Sequence, residues 1–165
     1  YYNMIFQYGE NRFIEKCKKS KVDGLIVVDL PYPENRNFAS RCKKKKINFI
    51  QLISPTTSKE RLKLIIRDSH DMIYYISMLS TTGGNLKVPP KKILEKYKKI
   101  KNENKSKNVV IGFGITEKTI KSLKLADGLV VGSAICKEIT NSIKKRQNTV
   151  INVTNIVKRL KKKIK

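Results

Sequence analysis

Two glycine-containing turns are the parts of this sequence best suited to chemistry. In the first turn Gly112 and Gly114 flank Phe113, and in the second Gly132 is followed by Ser133. Each turn ends a short apolar run, and the main-chain N–H groups of such turns bind phosphate oxygens where a helix begins. Glycine permits this contact because a β-carbon would keep the oxygens away from the amides. We therefore predict a phosphate site built from amides, a helix dipole and the Ser133 hydroxyl, with no need for lysine.

The same glycines have a purely structural interpretation. Gly112, Gly114 and Gly132 could serve only to let strands and helices pack closely. Two such turns in consecutive strand–helix units favour the phosphate interpretation, because neighbouring parallel strands end at the same edge of a sheet. The sequence has no Gly-x-Gly-x-x-Gly pattern, so it does not predict a dinucleotide site.

A third segment of small residues, "SMLSTTGGN" at positions 77–85, follows another apolar run. Its length and glycine content suit a mobile lid over a ligand. A plain turn before a helix at Pro89 is an equally good interpretation. Tyr74 and Tyr75 precede the segment, and because side chains alternate along a strand, one of the two faces a pocket.

The elements that must position these turns are predicted from the hydrophobic pattern. Six short apolar runs have the length and composition of strands buried on both faces. They are "YYNMIF" (1–6), "GLIVVDLP" (24–31), "INFIQLISP" (47–55), "MIYYISML" (72–79), "NVVIGFGI" (108–115) and "DGLVVGSAI" (127–135). The segments between them are amphipathic and rich in lysine, as expected for surface helices.

The predicted helices cover residues 10–21, 58–69, 89–103, 116–126 and 148–165, and another helix begins at Ser133. Ser58 and Thr116 are the predicted N-caps of the second and fourth helices. A proline suits the first turn of the third helix.

Strands that alternate with helices through short connections predict a parallel sheet of the α/β class. Six strands leave two architectures, a doubly wound open sheet or part of a (β/α)8 TIM barrel, which is typically ~250 residues long. In the second case residues 1–165 form a single domain, an incomplete barrel of about six βα units that lacks the first two strands. The open edges of such a sheet invite aggregation, so we expect the chain alone to be poorly soluble or molten.

The charge of the chain bears on its partners. The 165 residues include 37 Lys and Arg against 13 Asp and Glu, which gives a formal net charge of +24. Such a charge attracts nucleic acid and anionic membranes. The lysines are spread over nearly every predicted helix and loop, without the interleaved aromatic residues on which bases stack. We therefore favour a solvated surface over a specific nucleic-acid site.

Cysteine and histidine do not predict a metal or catalytic cluster. Cys17, Cys42 and Cys136 are odd in number and lack paired spacing, which indicates neither a disulfide framework nor a zinc site and fits a reducing, cytoplasmic setting. His70 is the only histidine and lies in a polar connection, where we expect a solvated side chain. No apolar run approaches the ~18 residues that cross a bilayer, so no membrane partner is expected.

Taken in order, the apolar runs and their polar turns resemble the alpha subunit of tryptophan synthase over essentially the whole chain. The matching segments are "YYNMIFQYG", "DGLIVVDLP", "FIQLISPTT", "YYISMLSTTGG", "GFGIT" and "ADGLVVGSAI". The resemblance implies a (β/α)8 barrel, entered at its third strand, and a lyase of tryptophan biosynthesis. Its reaction is the retro-aldol cleavage of indole-3-glycerol phosphate to indole and glyceraldehyde 3-phosphate. The resemblance further implies an alpha2beta2 assembly in which the beta subunit carries PLP and this subunit holds no cofactor.

The resemblance also implies roles for individual residues. The phosphate would be held by Gly83, Phe113, Gly114, Gly132 and Ser133. The substrate pocket would be lined by Tyr1, Ile26, Ile53, Tyr74, Thr82 and Gly112. Asp29 and Pro31 would face the beta subunit. In the lid the chain has Ser80-Thr81-Thr82-Gly83 where the family has Gly-Val-Thr-Gly, and the loss of the first glycine bears on how the lid closes.

The catalytic carboxylates of the family come from its second strand and the loop after it, which the resemblance places before Tyr1. We therefore expect no catalytic residue within this chain and no turnover by the chain alone. Two alternatives stay open. One is another phosphate-binding barrel enzyme, such as a sugar-phosphate isomerase or epimerase, and the other is a basic nucleic-acid-binding protein.

Overall fold

The computed structural model describes residues 1–77, 88–112 and 114–164. Helices and strands alternate through most of these ranges. In chain order they are α1 (Tyr2–Tyr8), α2 (Glu10–Lys19), β1 (Gly24–Leu25), α3 (Arg36–Lys44), β2 (Asn48–Phe49), β3 (Gln51–Ile53), α4 (Lys59–Asp68), β4 (Met72–Ile76), α5 (Pro90–Glu103), β5 (Asn108–Gly112), a 3-10 helix (Ile120–Leu123), β6 (Gly128–Val130), α6 (Ser133–Lys144) and α7 (Thr149–Ile164).

The strands form a parallel arc made of a two-stranded and a four-stranded sheet. β1 pairs with β2, and β3, β4, β5 and β6 pair in that order. β2 and β3 belong to one extended run interrupted at Ile50, whose amide donates to the Leu25 carbonyl at 2.9 Å. Parallel strands in sequence order, connected by helices, form the wall of a barrel, whereas the strand order of a doubly wound sheet reverses. The structure thus agrees with the α/β class and the incomplete barrel.

The helices pack on one face of this arc. Ile73 and Tyr75 of β4 are buried on that face, together with Ile93 of α5. Tyr74 lies between them along the strand and is half-buried on the opposite, inner face. Leu52 of β3 pairs with Tyr74 and therefore shares the inner face. The inner face of the arc is thus the one left open to a ligand.

A second core cluster joins α1, α2 and α3 to β1 and β2. Phe38 lies at its centre and contacts Phe49 edge to face, with ring centroids 5.9 Å apart. Cys17 and Cys42 are buried in the same cluster. Burial raises the pKa of the Cys42 thiol to about 12, so this cysteine is a neutral packing residue at physiological pH.

The expected first strand is wrong, because residues 2–8 form helix α1. Ile5 is buried while its neighbours Met4 and Phe6 are both 66% exposed, which is the burial pattern of a helix with one face covered. A short continuous apolar run does not distinguish a strand from a helix by periodicity. Five of the six predicted runs therefore contain strands. The first run, which was expected to be the third strand of the barrel, forms a helix.

Four of the helix predictions are confirmed as α2, α4, α5 and α7, and α6 begins at Ser133 as predicted. The Ser58 hydroxyl caps α4 by accepting the Arg61 amide at 3.2 Å. The helix expected over 116–126 is wrong, since only the short 3-10 helix forms there. Thr119, not Thr116, immediately precedes it, and the Thr119 hydroxyl bonds the main chain in a way that competes with helix formation.

Helix α3 was not predicted. It buries only Phe38 and Cys42, one turn apart, among polar and basic residues, so its hydrophobic signal is weak. Within the described part of the chain, no helix is long and apolar enough to cross a membrane.

Candidate functional site

The register of β5 and β6 brings the two predicted glycine turns to one edge of the sheet. The last paired residues of these parallel strands are Gly112 and Val130. Gly114 and Gly132 each follow two positions later, and neighbouring strands lie about 4.8 Å apart. Both turns therefore leave the carboxyl edge of the arc side by side, which is the edge at which barrel folds bind ligands.

Gly132 lies at the N-cap position of α6, where its carbonyl accepts the amides of Ile135 and Cys136 at 2.9 and 3.1 Å. The first N–H groups of a helix have no partner within the helix, so the amides of Ser133 and Ala134 are available as anion donors at this helix end. Among the described residues, a β-carbon on Gly132 would meet no heavy atom within 4 Å. Close packing therefore does not explain this glycine.

The first turn is shaped by two different constraints. A β-carbon on Gly112 would lie 1.8 Å from the Tyr74 hydroxyl oxygen, so the tyrosine ring occupies the space beside this glycine. Gly114 has a φ of 68°, in the left-handed region that favours glycine. The packing interpretation thus accounts for Gly112, and a backbone requirement accounts for Gly114.

A cleft of about 520 Å³, which we call the mouth cleft, opens at the carboxyl ends of β1, β3 and β4. Its apolar lining includes Val27, Leu30, Ile50, Leu52 and Ile76. Ile76 pairs with Gly112, so the cleft borders the first glycine turn. Among the described residues that line it, none is Asp, Glu or His. Ser54, Thr56 and Arg61 are among its polar lining residues. The described lining therefore offers both apolar and polar contacts, and it supplies no carboxyl or imidazole for proton transfer.

The remaining predicted pocket residues are placed differently. Tyr1 and Ile26 are 80% and 47% exposed and do not line the mouth cleft. Ile53 is fully buried in the core on the helix-facing side, since it pairs with Tyr75. The structure therefore does not bring Ile53 to the same face as Tyr74. Thr82, Gly83 and Phe113 lie outside the described residues.

The two residues expected to face a partner lie in the loop between β1 and α3. Asp29 is exposed, and its carboxylate accepts the Tyr2 amide at 2.8 Å. Pro31 is exposed and borders the mouth cleft. Both are therefore accessible at the edge that carries the glycine turns.

Sequence reasoning missed the residues that hold this loop. The buried Tyr32 donates its hydroxyl to Asp68 of α4 at 2.8 Å, and Arg61 of the same helix donates to the Tyr32 carbonyl. The hydrogen bonds from Arg67 and Tyr32 hold the pKa of the Asp68 carboxyl below its ordinary value. Asp68 is 36 positions from Tyr32, and a local sequence pattern does not predict a contact at that separation.

An amide pair closes the base of the same loop. The Asn35 side chain donates to the Leu30 carbonyl at 3.2 Å and to the Gln51 side chain at 2.9 Å. Asn35 and Gln51 are only 1% and 3% exposed. They also separate the mouth cleft from a second cleft of about 830 Å³ between α3 and α4, which His70 lines. That second cleft lies away from the glycine turns.

Comparison with known proteins identifies a family over the whole chain. Residues 1–165 match the family model described as the tryptophan synthase alpha chain. The chain is 77% identical over 164 residues to the tryptophan synthase alpha chain of Pelagibacter ubique, which covers 99% of this chain and 62% of that protein. It is 40% identical over 139 residues to the alpha chain of Methanocaldococcus jannaschii, covering 83% of this chain and 49% of that one.

Solved structures of the same kind share the fold. The tryptophan synthase subunit alpha of Legionella pneumophila superimposes with a TM-score of 0.87 at 28% identity, over 99% of this chain and 60% of that one. A chain of the tryptophan synthase complex of Pyrococcus furiosus superimposes with a TM-score of 0.80 at 31% identity, over 97% and 63%. The chain thus spans less than two thirds of the length of these relatives.

Proposed function

Because this chain belongs to the tryptophan synthase alpha chain family, we propose that it forms part of the lyase that cleaves indole-3-glycerol phosphate to indole and glyceraldehyde 3-phosphate. The observation that carries the proposal is the pair of glycine turns at one sheet edge, with open space beside Gly132. In the amide-lined region between them the substrate phosphate is bound, and the first turn of α6 adds its dipole.

The phosphate ligands we propose are main-chain amides of the two turns and the Ser133 hydroxyl. Gly83 and Phe113 complete the set that the family resemblance implies. Lysine is not needed, and the described lining of the mouth cleft contains one charged side chain, Arg61, which already bonds the Tyr32 carbonyl. Charge-assisted bonds from fixed amides hold an anion without the loss of side-chain entropy that a lysine would incur.

The indole ring lies against the apolar residues of the mouth cleft. Leu52 and Tyr74 share the inner face of the arc, and Ile76 borders the first glycine turn. A ring in this cleft and a phosphate at the turns would lie on neighbouring parts of the same edge, as a single indole-glycerol phosphate requires. Tyr1, Ile26 and Thr82 remain proposed pocket residues on the resemblance, whereas Leu52 replaces Ile53 on the observed geometry.

The reaction needs groups that the described lining of the mouth cleft does not supply. A carboxyl group must protonate the indole carbon from which the side chain leaves and accept a hydroxyl proton from the glycerol chain. A second carboxylate stabilises the indole N–H as positive charge develops. Asp29 is exposed and bonded to the Tyr2 amide, so we do not assign it either role. We propose that the chain supplies the phosphate site and part of the indole pocket, and that it cannot turn the substrate over alone.

We propose the beta subunit of tryptophan synthase as partner, in an alpha2beta2 assembly that contacts the loop carrying Asp29 and Pro31. The PLP of the second reaction belongs to that subunit, and this chain requires no cofactor. Two hydrogen bonds from Tyr32 and Arg61 fix the loop against α4. A loop fixed before binding loses less conformational entropy on docking.

The test uses a completed chain, in which residues 1–165 replace the matched segment of the Pelagibacter ubique relative. We expect it to bind indolepropanol phosphate, a substrate analogue whose side chain lacks the hydroxyl groups needed for cleavage, and to release indole from indole-3-glycerol phosphate. A sugar phosphate without the indole ring should bind more weakly. Equal binding of the two ligands would favour a sugar-phosphate enzyme instead, and absence of phosphate-ligand binding would refute the proposal.

A further inference from the structure

The two glycines of the first turn each have their carbonyl held by a hydroxyl group. Ser77 donates its hydroxyl to the Gly112 carbonyl at 2.8 Å. Thr119 donates its hydroxyl to the Gly114 carbonyl at 2.9 Å. The two hydroxyls come from different elements, one after β4 and one before the 3-10 helix, so the turn is held from both sides.

The Ser77 bond is not required by the sheet. The Ser77 amide already donates to the Gly112 carbonyl at 3.1 Å, as the parallel ladder continues past the Ile76–Gly112 pair. The main-chain amide of any residue except proline at position 77 would make this bond to the Gly112 carbonyl. The Ser77 hydroxyl is thus a second donor to the same carbonyl. Ser77 is 0% exposed, and a buried hydroxyl costs free energy unless it is hydrogen-bonded. Some role other than strand pairing must favour a serine here.

Thr119 is itself held in place. Its hydroxyl accepts the Thr116 amide at 3.0 Å while it donates to Gly114. This local network replaces the helix that the sequence pattern predicted for 116–126. The threonine therefore stabilises the end of the turn at the expense of regular structure.

A turn flanked by glycines needs such restraints if it is to bind an anion tightly. Glycine has more backbone freedom than any other residue, and this freedom must be lost when amides converge on a ligand. A peptide group is planar, with its carbonyl and N–H pointing in opposite directions. Fixing a carbonyl therefore fixes the direction in which the adjoining amide donates.

We propose that Ser77 and Thr119 are positioning residues for the substrate phosphate: by holding the Gly112 and Gly114 carbonyls, they orient the amides of the first turn towards the anion. The inference rests on the proposed function, because it takes the phosphate to bind at these turns.

The test measures ligand affinity in the completed chain with Ser77→Ala. We expect the affinity for indolepropanol phosphate and for inorganic phosphate to fall about tenfold, as for the loss of one well-placed hydrogen bond. The affinity for indole, which lacks a phosphate, should stay within about twofold of the unsubstituted chain. A merely structural role would weaken all three ligands together.

Ser69→Ala is the matched control. Ser69 is also buried, and its hydroxyl also donates to a main-chain carbonyl at 2.8 Å, that of Ile66, at the other end of β4. Both variants should lose similar stability in thermal unfolding, and only Ser77→Ala should lose phosphate affinity. Equal phosphate affinity in the two variants would overturn the inference.

Thr119 gives an independent test that does not depend on a buried position. Thr119→Val removes the hydroxyl at nearly constant volume and should weaken phosphate binding, whereas Thr119→Ser keeps the hydroxyl and should restore it. If the unsubstituted chain binds indolepropanol phosphate and Thr119→Val binds it equally, the inference fails while the proposed function stands. If the unsubstituted chain binds no phosphate ligand, both fail.

Discussion

Gly112 is the last residue of β5, and Gly132 lies two residues after the end of β6. The two glycines differ in how much room a side chain would find there. A β-carbon on Gly112 would collide with Tyr74, whereas one on Gly132 would enter open space. The φ of Gly132 is −111°, within the range of ordinary L residues. Neither packing nor backbone conformation therefore demands glycine at 132. An anion that occupies the open space would demand it.

Gly132→Val in the completed chain tests this argument. We expect the affinity for indolepropanol phosphate to fall about 100-fold, because the new side chain fills the space in which phosphate oxygens meet the amides. Thermal unfolding should change little, by no more than the ~1 kcal/mol that a weaker N-cap residue costs. Calorimetric titration and thermal unfolding measure the two effects.

Gly128→Ala is the companion variant for that experiment. Its β-carbon would lie 2.9 Å from Val110 Cγ1, so it should lower stability and leave ligand affinity unchanged. Wild-type affinity in Gly132→Val would show that the glycine has no part in binding.

Asp127 predicts a pH dependence of stability. Its carboxylate accepts the Val109 amide and the Lys101 ammonium, each at 2.8 Å. Partial burial raises the pKa of this carboxyl, but the two hydrogen bonds outweigh burial and leave it below the ordinary 3.8. A lowered folded-state pKa stabilises the protein above the unfolded-state pKa, and this stability is lost as the pH falls through the folded value.

We therefore expect Asp127→Asn to lower the melting temperature at pH 7 and to flatten its decline below about pH 4. The measurement is thermal unfolding of the completed chain as a function of pH. Glu95→Gln, which removes an exposed carboxylate from α5, should leave the slope unchanged. An Asp127→Asn variant with the wild-type slope would contradict the assignment.

At the scale of elements, the sequence predicts the strands and helix starts that depend on neighbouring residues. The apolar runs at 108–115 and 127–135 contain β5 and β6 as predicted, because a buried strand followed by glycine has few alternatives. Ser58 marks the start of α4 because an N-cap is a local contact. The edge at which the candidate site lies follows from these signals and the rule for parallel sheets.

Contacts between distant elements could not be predicted in the same way. Ser77 and Gly112 are 35 positions apart, and Tyr32 and Asp68 are 36 apart. Such pairs depend on which helix packs beside which loop, and a single sequence carries no signal for that. The helix at 2–8 shows the related limit, since a short, mainly apolar run satisfies a strand and a helix equally.

The loop between β1 and α3 is attached to α4 by the hydrogen bonds of Tyr32 with Asp68 and Arg61. In the completed chain, Tyr32→Phe removes the bond to Asp68 and should weaken binding of the beta subunit by about five- to tenfold, because the loop must then be ordered on docking. Binding of indolepropanol phosphate should not change. Tyr97→Phe is the control, since it removes a hydroxyl bonded to another carboxylate, Asp127, away from the loop. Equal partner affinity in the two variants would contradict a positioning role for Tyr32.

For the whole molecule, the large positive charge is not directed at the candidate site. Arg61 is the one charged residue among those described in the mouth-cleft lining. Some basic groups pair locally, as Arg159 and Lys163 of α7 do with Glu117, at 2.7 and 3.8 Å. The described lining of the cleft thus does not concentrate the positive charge, and the phosphate site we propose relies on amides and a helix end.

In the described part of the chain, the arc of strands is open at both of its edges, β1 and β6. Among the described residues, β1 and β6 each pair on one side only. Apolar side chains are exposed close to both edges, with Val28 57% exposed near β1 and Val130 40% exposed on β6. Unpaired parallel strands flanked by apolar surface associate with any chain that offers a matching edge. We therefore expect residues 1–165, expressed alone, to bind a hydrophobic dye, to elute as mixed oligomers and to unfold without a sharp transition.

The completed chain should behave in the opposite way, as a dye-negative species with a cooperative transition, because the added polypeptide would cover both edges. Size-exclusion chromatography, dye fluorescence and calorimetry on the two proteins make the comparison, and both carry the same 165 residues, so composition and charge are matched within that segment. A monomer of the 165 residues that unfolds sharply and binds no dye would show that the arc is stable with its edges open, and the argument from the unpaired strands would then be wrong.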